Sequence, residues 1–343
     1  MAQFNWTAQS LLQQNQEIWK TFAIQTATKL DIITIVDKRG GATIGEIAED
    51  AICDPRATEM LVVALVALEL LAWDGEKIVA TEAAKKNLSS LSASYIGNVI
   101  MHMSQVAESW VKLSQAVKTG KRVPPPSFPT EAEQKAYEAE RAKNFILGMY
   151  NVASLQAEGI SEAFLELKGK KKLLDLGGGP GTYAAFFCAK NPELQAVVFD
   201  RPTSEPLALG VLERLKVTGK VSFMGGDFLH DPLPKGFDVV WLSQVLHGED
   251  KKNALLLVQR AAGSLEQGGI LAIQEFVLDD KLTGPVGPAL FALNMLVNTE
   301  AGRAYTYSEI IAMMNDAGVA EIKELKAPLP PGNRIFYGIK GQA

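Results

Sequence analysis

Cysteine is scarce in this chain, and the chain has no long apolar run and no excess of positive charge. Its 343 residues include two cysteines, Cys53 and Cys188, which lie far apart in apolar helical patterns. A disulfide framework or a thiolate metal site is therefore not indicated, and this usage is typical of a reducing cytoplasm. The longest apolar run, Leu61 to Trp73, contains Glu69 and is far shorter than the roughly 20 residues that span a bilayer. We expect it to form a buried helix.

The charge balance and the N-terminal sequence argue against further classes of protein. The formal net charge is −5, which gives no general attraction for nucleic acid or for an anionic membrane. Residues 1–10 lack a basic segment followed by an apolar one, so no secretion signal is predicted and we expect a cytoplasmic protein. Hydrophobic residues make up 47% of the chain and charged residues 21%, which indicates a globular protein. Its length suits two domains.

The most informative segment is KKLLDLGGGPGT, residues 171–182. Its leucines predict a short buried parallel strand, its glycines a tight turn, and residues 182–190 a helix. Glycine permits positive φ and lets a ligand approach the main chain closely. We therefore expect a cofactor to lie against Gly177, Gly179 and Gly181.

The spacing of these glycines discriminates between cofactors. The dinucleotide fingerprint G-x-G-x-x-G/A would need Gly or Ala where Thr182 stands, and a P-loop would need Lys followed by Ser or Thr. What remains is D-x-G-x-G-x-G, from Asp175 to Gly181, which resembles the first motif of S-adenosylmethionine-dependent methyltransferases. That resemblance implies S-adenosylmethionine as the cofactor, with Asp175, Gly177 and Gly179 at its site.

From residue 172 onward, segments that predict strands alternate with segments that predict helices. The predicted strands are 172–177, Ala196–Asp200, Val221–Gly225, Phe237–Leu242, Ile270–Phe276, Glu321–Leu325 and Arg334–Lys340. This alternation is typical of an α/β fold with a doubly wound sheet. Seven strands fit the methyltransferase sheet, in which the last hairpin adds one antiparallel strand. We expect residues 171–343 to form the S-adenosylmethionine-binding domain.

The N-terminal region predicts a different domain, built mostly of helices. Residues 43–50 begin with capping-box spacing and predict a short helix. Residues 54–71 begin with Asp-Pro, which is typical of an N-cap followed by the first helical position. Residues 73–81 predict a hairpin that turns at Asp74-Gly75. Helix, turn, helix and hairpin together predict a winged helix.

Winged helices most often bind DNA, but the composition of residues 54–71 argues against that use. Arg56 is the only cation there, whereas a recognition helix needs Arg, Lys, Asn or Gln on its exposed face. A helix this apolar suits the interface of a homodimer. We expect residues 1–100 to form a winged-helix dimerisation domain, and residues 101–170 a helical linker that contributes to the acceptor pocket.

Further candidate cofactor residues follow the predicted strands, at the edge where open α/β sheets bind ligands. Asp200 ends the second strand and can accept from both ribose hydroxyls, unless it only caps a helix. Asp227 can accept from the adenine amine, unless it is only a turn residue. Gly226 precedes it, Phe228 offers the adenine ring an apolar face, and Ser243 follows the fourth strand.

The segment VLHGED, residues 245–250, carries a more specific resemblance. His247 follows the fourth strand, and Glu275 lies at the end of the fifth. This pair is similar to that of the caffeate and acetylserotonin O-methyltransferase family. The resemblance extends over nearly the whole chain, including residues 108–113, 145–149, 175–182 and 298–306. It implies that His247 accepts a proton and that Glu275 orients the imidazole.

The chemistry of these residue types agrees with that role. An aryl hydroxyl has a pKa near 10, whereas an imidazole with a pKa of about 6.5 can remove its proton as the oxygen attacks a methyl group. Glu275 would fix the tautomer of His247 and stabilise the imidazolium. The resemblance implies a homodimeric enzyme that methylates a hydroxyl of an aromatic or polyketide-like small molecule.

Three positions depart from the family pattern. Gly248 stands where the family often has Asp, Ala304 where it has a second catalytic glutamate, and Ser243 where it has a basic residue on the cofactor side. Methylation of a phenol oxygen could proceed with His247 and Glu275 alone. The same scaffold also carries relatives that methylate carbon, so C-methylation of a tetrapyrrole or similar ring is an alternative. A winged-helix regulator with a cofactor-sensing domain is another.

Five residues are predicted to contact the acceptor. Phe291, Met295 and Met149 could form an apolar wall, since Met adapts to irregular ligands, although core packing would explain them equally well. Phe145 lies in the same family-like segment as Met149. His102 lies in the segment that should cover the acceptor, but a histidine between two methionines is more often a core residue. No cluster with metal-ligand spacing is present, so no metal is expected.

Overall fold

The computed structural model describes residues 6–341, which form two compact units. The first unit extends to Gln105, and the second begins at Val106. Within the described range, no helix is both long enough and apolar enough to cross a membrane.

The first unit consists of helices and one hairpin. Its elements are α1 (Ala8–Lys29), α2 (Ile32–Arg39), α3 (Ile44–Asp50), α4 (Pro55–Ala67), β1 (Leu71–Asp74), β2 (Lys77–Ala80), α5 (Glu82–Leu88) and the beginning of α6 (Gly97–Trp110). Ile33, Val62 and Ile78 belong to its core. A capping box begins α3, because Thr43 Oγ1 accepts from the Glu46 N–H and Glu46 Oε2 accepts from the Thr43 N–H. This confirms the predicted helix.

Helix α4 ends earlier than predicted. Asp54 caps it by accepting a backbone N–H at 2.9 Å, as expected, but the helix ends at Ala67 and not near Leu71. Glu69 takes a left-handed φ of 59°, and this turn lets Leu71 pair with Ala80 in the hairpin. Leu71 is thus a strand residue, because it buries its side chain in the hairpin and not on the helix.

The apolar run that α4 shares with β1 is buried on one side only. Val62 and Leu65 are fully buried, whereas Met60 is 58% and Val63 52% exposed. The expectation that Leu61–Trp73 forms one buried helix is therefore wrong. The hairpin itself is present, and its turn lies one residue later than predicted, since Asp74 pairs with Lys77.

The second unit is an α/β fold. Its helices after α6 are α7 (Leu113–Thr119), α8 (Glu131–Ser154), α9 (Ala157–Ala163), α10 (Thr182–Lys190), α11 (Glu205–Arg214), α12 (Lys251–Ser264), α13 (Val286–Asn298) and α14 (Tyr307–Asp316). Its strands are β3 (Lys172–Leu176), β4 (Gln195–Asp200), β5 (Val221–Gly225), β6 (Phe237–Ser243), β7 (Leu265–Leu278), β8 (Tyr305–Thr306), β9 (Val319–Leu325) and β10 (Asn333–Lys340).

Seven of these strands form one continuous sheet in the order β5, β4, β3, β6, β7, β10, β9. Strands β3 to β7 pair in parallel, and β10 runs antiparallel to both of its neighbours. The predicted methyltransferase sheet with one antiparallel strand is confirmed. Two details differ: β7 begins at Leu265 and not at Ile270, and the short β8, which was not predicted, pairs with β7.

Helices cover both faces of this sheet. Successive strand residues point to opposite faces, so Leu173 and Trp241 lie in the core beneath α9 and α10, whereas Leu174 and Val240 lie in the core beneath α12 and α14. Burial on both faces explains why the parallel strands are almost continuously apolar in sequence. Polar residues accumulate instead where these strands end, at the carboxyl edge of the sheet.

Candidate active site

The glycine loop connects β3 to α10 at the carboxyl edge. Gly177, Gly179 and Gly181 all take positive φ, of 72°, 51° and 73°, which L side chains rarely adopt. A Cβ on Gly177 would lie 2.6 Å from Val245 Cγ2, whereas a Cβ on Gly179 would meet no described atom within 4 Å. The loop therefore presents bare backbone on an open side, which suits a closely bound ligand. Thr182 then begins α10.

Asp175 lies beneath this loop and not on its open side. The residue is 1% exposed, its Oδ2 accepts from the Ala184 N–H at 3.3 Å, and a Cβ on Gly178 would lie 2.5 Å from its Cγ. Burial raises the pKa of Asp175 to about 7 and outweighs the hydrogen bond from Ala184, which lowers it. Asp175 supports the loop, and its position gives no support to the predicted direct contact with the cofactor.

Asp200 ends β4 and faces the glycine loop. Its Oδ2 accepts from the Gly179 N–H at 2.8 Å, and its Oδ1 accepts from the Arg201 N–H at 2.7 Å and from the Ser204 hydroxyl at 3.2 Å. None of these donors is a backbone N–H of α11, so Asp200 does not cap that helix. The carboxylate fixes the glycine loop and lies beside its open backbone.

Asp227 is engaged in a turn after β5. Its Oδ1 accepts two backbone N–H groups, at 2.8 and 3.3 Å, and its Oδ2 lies 3.1 Å from His230 Nδ1. These are the contacts of a turn residue, which is the alternative interpretation of Asp227. Gly226 packs so closely on Phe199 that a Cβ would lie 2.4 Å from the ring, and Phe228 is half-buried.

Ser243 belongs to a cluster of polar side chains, which we call the buried amide network. Its hydroxyl donates to Gln274 Oε1 at 3.0 Å, and Gln274 Nε2 donates to Gln156 Oε1 at 3.2 Å. The Tyr183 hydroxyl contacts both Ser243 and Gln274, and burial raises the pKa of this phenol. The sequence reasoning missed the two glutamines and the tyrosine. A glutamine inside the otherwise apolar strand at 270–276 is the signal that could have revealed the network.

His247 and Glu275, the two predicted catalytic residues, contact each other directly. His247 lies in a 3₁₀ turn after β6, and Glu275 lies near the end of β7. The distance from His247 Nδ1 to Glu275 Oε2 is 2.9 Å, and the His247 N–H donates to Glu275 Oε1 at 3.3 Å. Glu275 is 1% exposed, whereas the His247 side chain is 15% exposed. A buried carboxylate thus holds a partly accessible imidazole at two points.

Aromatic rings and a tight backbone segment surround this pair. Phe291 meets the imidazole edge-on at 4.7 Å between ring centroids. The His247 carbonyl accepts from the Arg303 N–H at 2.8 Å, and a Cβ on Gly302 would lie 2.6 Å from the same carbonyl oxygen. Ala304 is buried and brings no carboxylate to the position where the resemblance implies a second glutamate.

The O-methyltransferase domain family matches residues 110–320 of this chain. The chain belongs to this family. It is an S-adenosylmethionine-dependent O-methyltransferase, and the predicted family and cofactor are confirmed. The glycine loop fits that cofactor, since its open backbone lies beside the carboxylate of Asp200.

Two curated relatives illustrate the range of this family. The chain is 31% identical to the 3-hydroxy-5-methyl-1-naphthoate 3-O-methyltransferase of Streptomyces sahachiroi, over 94% of this chain and 92% of the relative. It is 31% identical to the acetylserotonin O-methyltransferase of Bos taurus, over 78% of this chain and 79% of the relative.

Solved structures share the fold. Human N-acetylserotonin methyltransferase in complex with SAM superposes with a TM-score of 0.84 and 24% identity, with all of both chains covered. An O-methyltransferase family protein from Burkholderia thailandensis superposes with a TM-score of 0.83 and 24% identity, over 98% of this chain and 99% of the other.

The predicted acceptor residues of this O-methyltransferase lie on three helices. Phe291 and Met295 are one turn apart on α13, and of these Phe291 contacts the His247 ring. Phe145 and Met149 are one turn apart on α8, where residues four positions apart share a face. His102 lies on α6 in the first unit and is half-buried.

A set of amide contacts on α13 also escaped the sequence reasoning. Asn294 Oδ1 accepts from Trp110 Nε1 and from Asn298 Nδ2, both at 2.9 Å. Asparagines on an otherwise apolar helix were the available signal. Among residues 6–341, no group of three or more His, Cys, Asp or Glu side chains is arranged to hold a metal ion.

Proposed function

We propose that this O-methyltransferase methylates a hydroxyl of an aromatic, polyketide-like acceptor, with His247 as the general base. The observation that carries the proposal is the 2.9 Å contact between His247 Nδ1 and the buried Glu275 carboxylate. The acceptor class is supported by two relatives, named as methyltransferases of a hydroxynaphthoate and of tetracenomycin polyketide synthesis.

The protonation of His247 follows from its partner. Glu275 can only accept a hydrogen bond when ionised, so Nδ1 carries the proton and Nε2 keeps a free lone pair. Nε2 takes the proton of the acceptor hydroxyl as that oxygen becomes the nucleophile. Glu275 then stabilises the resulting imidazolium across the 2.9 Å contact. Phe291 packs against the imidazole and restricts its rotation.

The carboxyl edge of the sheet supplies the cofactor site. S-adenosylmethionine, when bound, supplies a methyl group activated by a positively charged sulfonium. The backbone of Gly177 and Gly179 would accommodate it closely, and the Asp200 carboxylate would accept hydrogen bonds from its ribose hydroxyls. Gly226, Asp227, Phe228 and Ser243 complete the proposed site, and Asp175 supports it from beneath the loop. The apolar wall of Phe145, Met149, Phe291 and Met295 would hold the acceptor.

The first unit is proposed to be a winged-helix dimerisation domain, with residues 1–100 as its extent and 101–170 as the linker to the acceptor pocket. Its helices expose apolar side chains that the described residues leave uncovered. They are Leu11, Leu12, Ile18, Trp19 and Phe22 on α1 and Met60 and Val63 on α4. An apolar face of this kind marks an interaction surface, and a second copy of the same unit would cover it.

The test is a screen of purified enzyme with S-adenosylmethionine labelled at its methyl group. Hydroxynaphthoates, polyketide phenols and chlorins are offered as acceptors, together with O-methylated phenols in which the hydroxyl is blocked. We expect label to enter the free phenols only, at oxygen. Transfer to ring carbon, or equal labelling of the blocked compounds, would contradict the proposal. The comparisons support neither C-methylation nor a regulatory role.

A further inference from the structure

Gln274 binds the segment that leads to His247 through both its side chain and its main chain. It is fully buried. Its Oε1 accepts from the Ser243 hydroxyl at 3.0 Å, and its carbonyl accepts from the Gln244 N–H at 2.9 Å. Its Nε2 donates to Gln156 Oε1 at 3.2 Å. The polar groups of this side chain are therefore committed to partners within the buried amide network.

The segment that Gln274 holds is strained. Gln244 takes a φ of 58°, a left-handed conformation that a residue with a Cβ adopts only when its surroundings enforce it. Two residues beyond it, the 3₁₀ turn at 246–248 carries His247. The residue that follows Gln274 is Glu275, which bonds both the backbone and the ring of His247. The dipeptide Gln274-Glu275 thus anchors residues 243–247 at both ends.

We propose that Gln274 is a positioning residue for methyl transfer, because it fixes residues 243–247 and thereby aligns the His247 ring with Glu275. It acts through the imidazole and touches no reacting atom. The proposal rests on the proposed role of His247 as general base. Its structural half, the alignment of the ring, can be measured without any turnover.

The first test follows the His247 ring by NMR. The chain contains three histidines, so the His247 signals are identified by their disappearance in His247→Gln. In the wild type we expect an Nδ1–H proton protected by Glu275. In Gln274→Met, which keeps the side-chain length but loses both amide contacts, we expect that proton to exchange with water at least tenfold faster. An unchanged exchange rate would overturn the proposal, whatever the activity.

The second test measures turnover with a phenolic acceptor. Gln274→Met should lower kcat about tenfold at neutral pH with the KM for S-adenosylmethionine nearly unchanged. Part of this loss should disappear as the pH approaches the pKa of the acceptor, because the ionised acceptor needs no base. A loss that is the same at every pH would indicate general damage and would overturn the proposal.

Two further variants control for folding. Gln156→Leu removes the contact of Gln274 that does not involve residues 243–247, and should leave both proton exchange and kcat within twofold of wild type. The same losses as in Gln274→Met would overturn the proposal. Ser243→Ala breaks the Ser243–Gln274 bond from the other side and should speed the exchange of the His247 ring proton as Gln274→Met does. It therefore supplies the structural test if Gln274→Met fails to fold, and an unchanged exchange rate in it would also overturn the proposal. Failure of the base role itself shows separately, as unchanged turnover in His247→Ala.

Discussion

At the scale of single residues, the burial of Glu275 decides what His247 can do. An exposed carboxylate would be screened by water and would hold the ring weakly, but Glu275 is 1% exposed and lies 2.9 Å from Nδ1. The imidazole therefore keeps one orientation, with Nε2 directed away from the carboxylate. Ala304 brings no carboxylate to this site, so we expect the proposed proton transfer to depend on His247 and Glu275 alone.

We expect His247→Ala to lower kcat by about 10²- to 10⁴-fold at pH 7 and to leave S-adenosylmethionine affinity nearly intact. Activity should recover in part at higher pH, since the acceptor hydroxyl ionises unaided as its own pKa is approached. Steady-state kinetics from pH 6 to about 10, with calorimetry for cofactor binding, provide the measurement.

Glu275→Gln is the matched variant, because it keeps the shape of the side chain and removes the charge, although one accepting oxygen becomes a donating NH₂ group. We expect a smaller loss of kcat than in His247→Ala, since the amide can still orient the ring. Near-normal turnover of His247→Ala at neutral pH would mean that proton removal is not the task of this residue.

The raised pKa of Asp175 predicts how the stability of the protein changes with pH. Its pKa in the folded protein is about 7, above the ordinary value of 3.8. Between about pH 4 and pH 7 the folded protein therefore keeps a proton that the unfolded chain has lost, and stability falls as the pH rises through this window. Asp175→Asn should remove this fall, so the wild type should lose up to about 4 kcal/mol relative to the variant. Parallel pH profiles of the free energy of unfolding, without cofactor, would contradict the assignment.

At the scale of secondary-structure elements, the local sequence predicts those strands, helices and turns whose ends are decided by neighbouring residues. The glycine loop, α10 and the ends of β3 to β6 follow from short apolar runs that end at glycine or at a polar residue. The predicted helix 182–190 coincides with α10. The pairing of His247 with Glu275 was predicted from the family resemblance, and it agrees with the rule that the carboxyl ends of parallel strands meet at one edge.

Features that depend on distant partners could not be predicted in this way. The end of α4 at Ala67 is decided by the pairing of Leu71 with Ala80, which a helical pattern does not contain. The glutamine in the apolar strand at 270–276 indicates a buried polar contact, but no local pattern identifies its partner Gln156, which lies 118 positions away. Asp175 lies in β3, directly before the predicted glycine loop, but only the packing of Gly178 on its carboxylate shows that it lies beneath the loop.

Gly177 tests the geometry of the loop that connects β3 to α10. Gly177→Ala places a Cβ at a φ of 72° and 2.6 Å from Val245 Cγ2. We expect a loss of about 1–2 kcal/mol in stability from the backbone alone and weaker binding of S-adenosylhomocysteine by calorimetry. The control is Gly210→Ala on α11, where a Cβ meets no described atom within 4 Å. That change should raise stability slightly and leave binding unchanged, so equal effects of the two variants would refute the argument.

At the scale of the whole molecule, the exposed apolar side chains of α1 and α4 remain to be covered. Trp19 is 68% exposed, and burying such a side chain contributes a few kcal/mol. Burial of this surface would therefore stabilise a dimer relative to the monomer. Residues 1–100 carry this surface, which is why we expect a homodimer that forms through them and not through the α/β sheet.

The dimer is tested by placing a charge at the centre of the apolar face of α1. Trp19→Lys should convert the dimer to a monomer at micromolar concentration in light scattering, because burying a lysine ammonium in an apolar interface is costly. Gln13→Lys adds the same charge at an exposed polar position of the same helix and should leave the dimer intact. A monomeric wild type, or equal dissociation of both variants, would show that α1 does not form the interface.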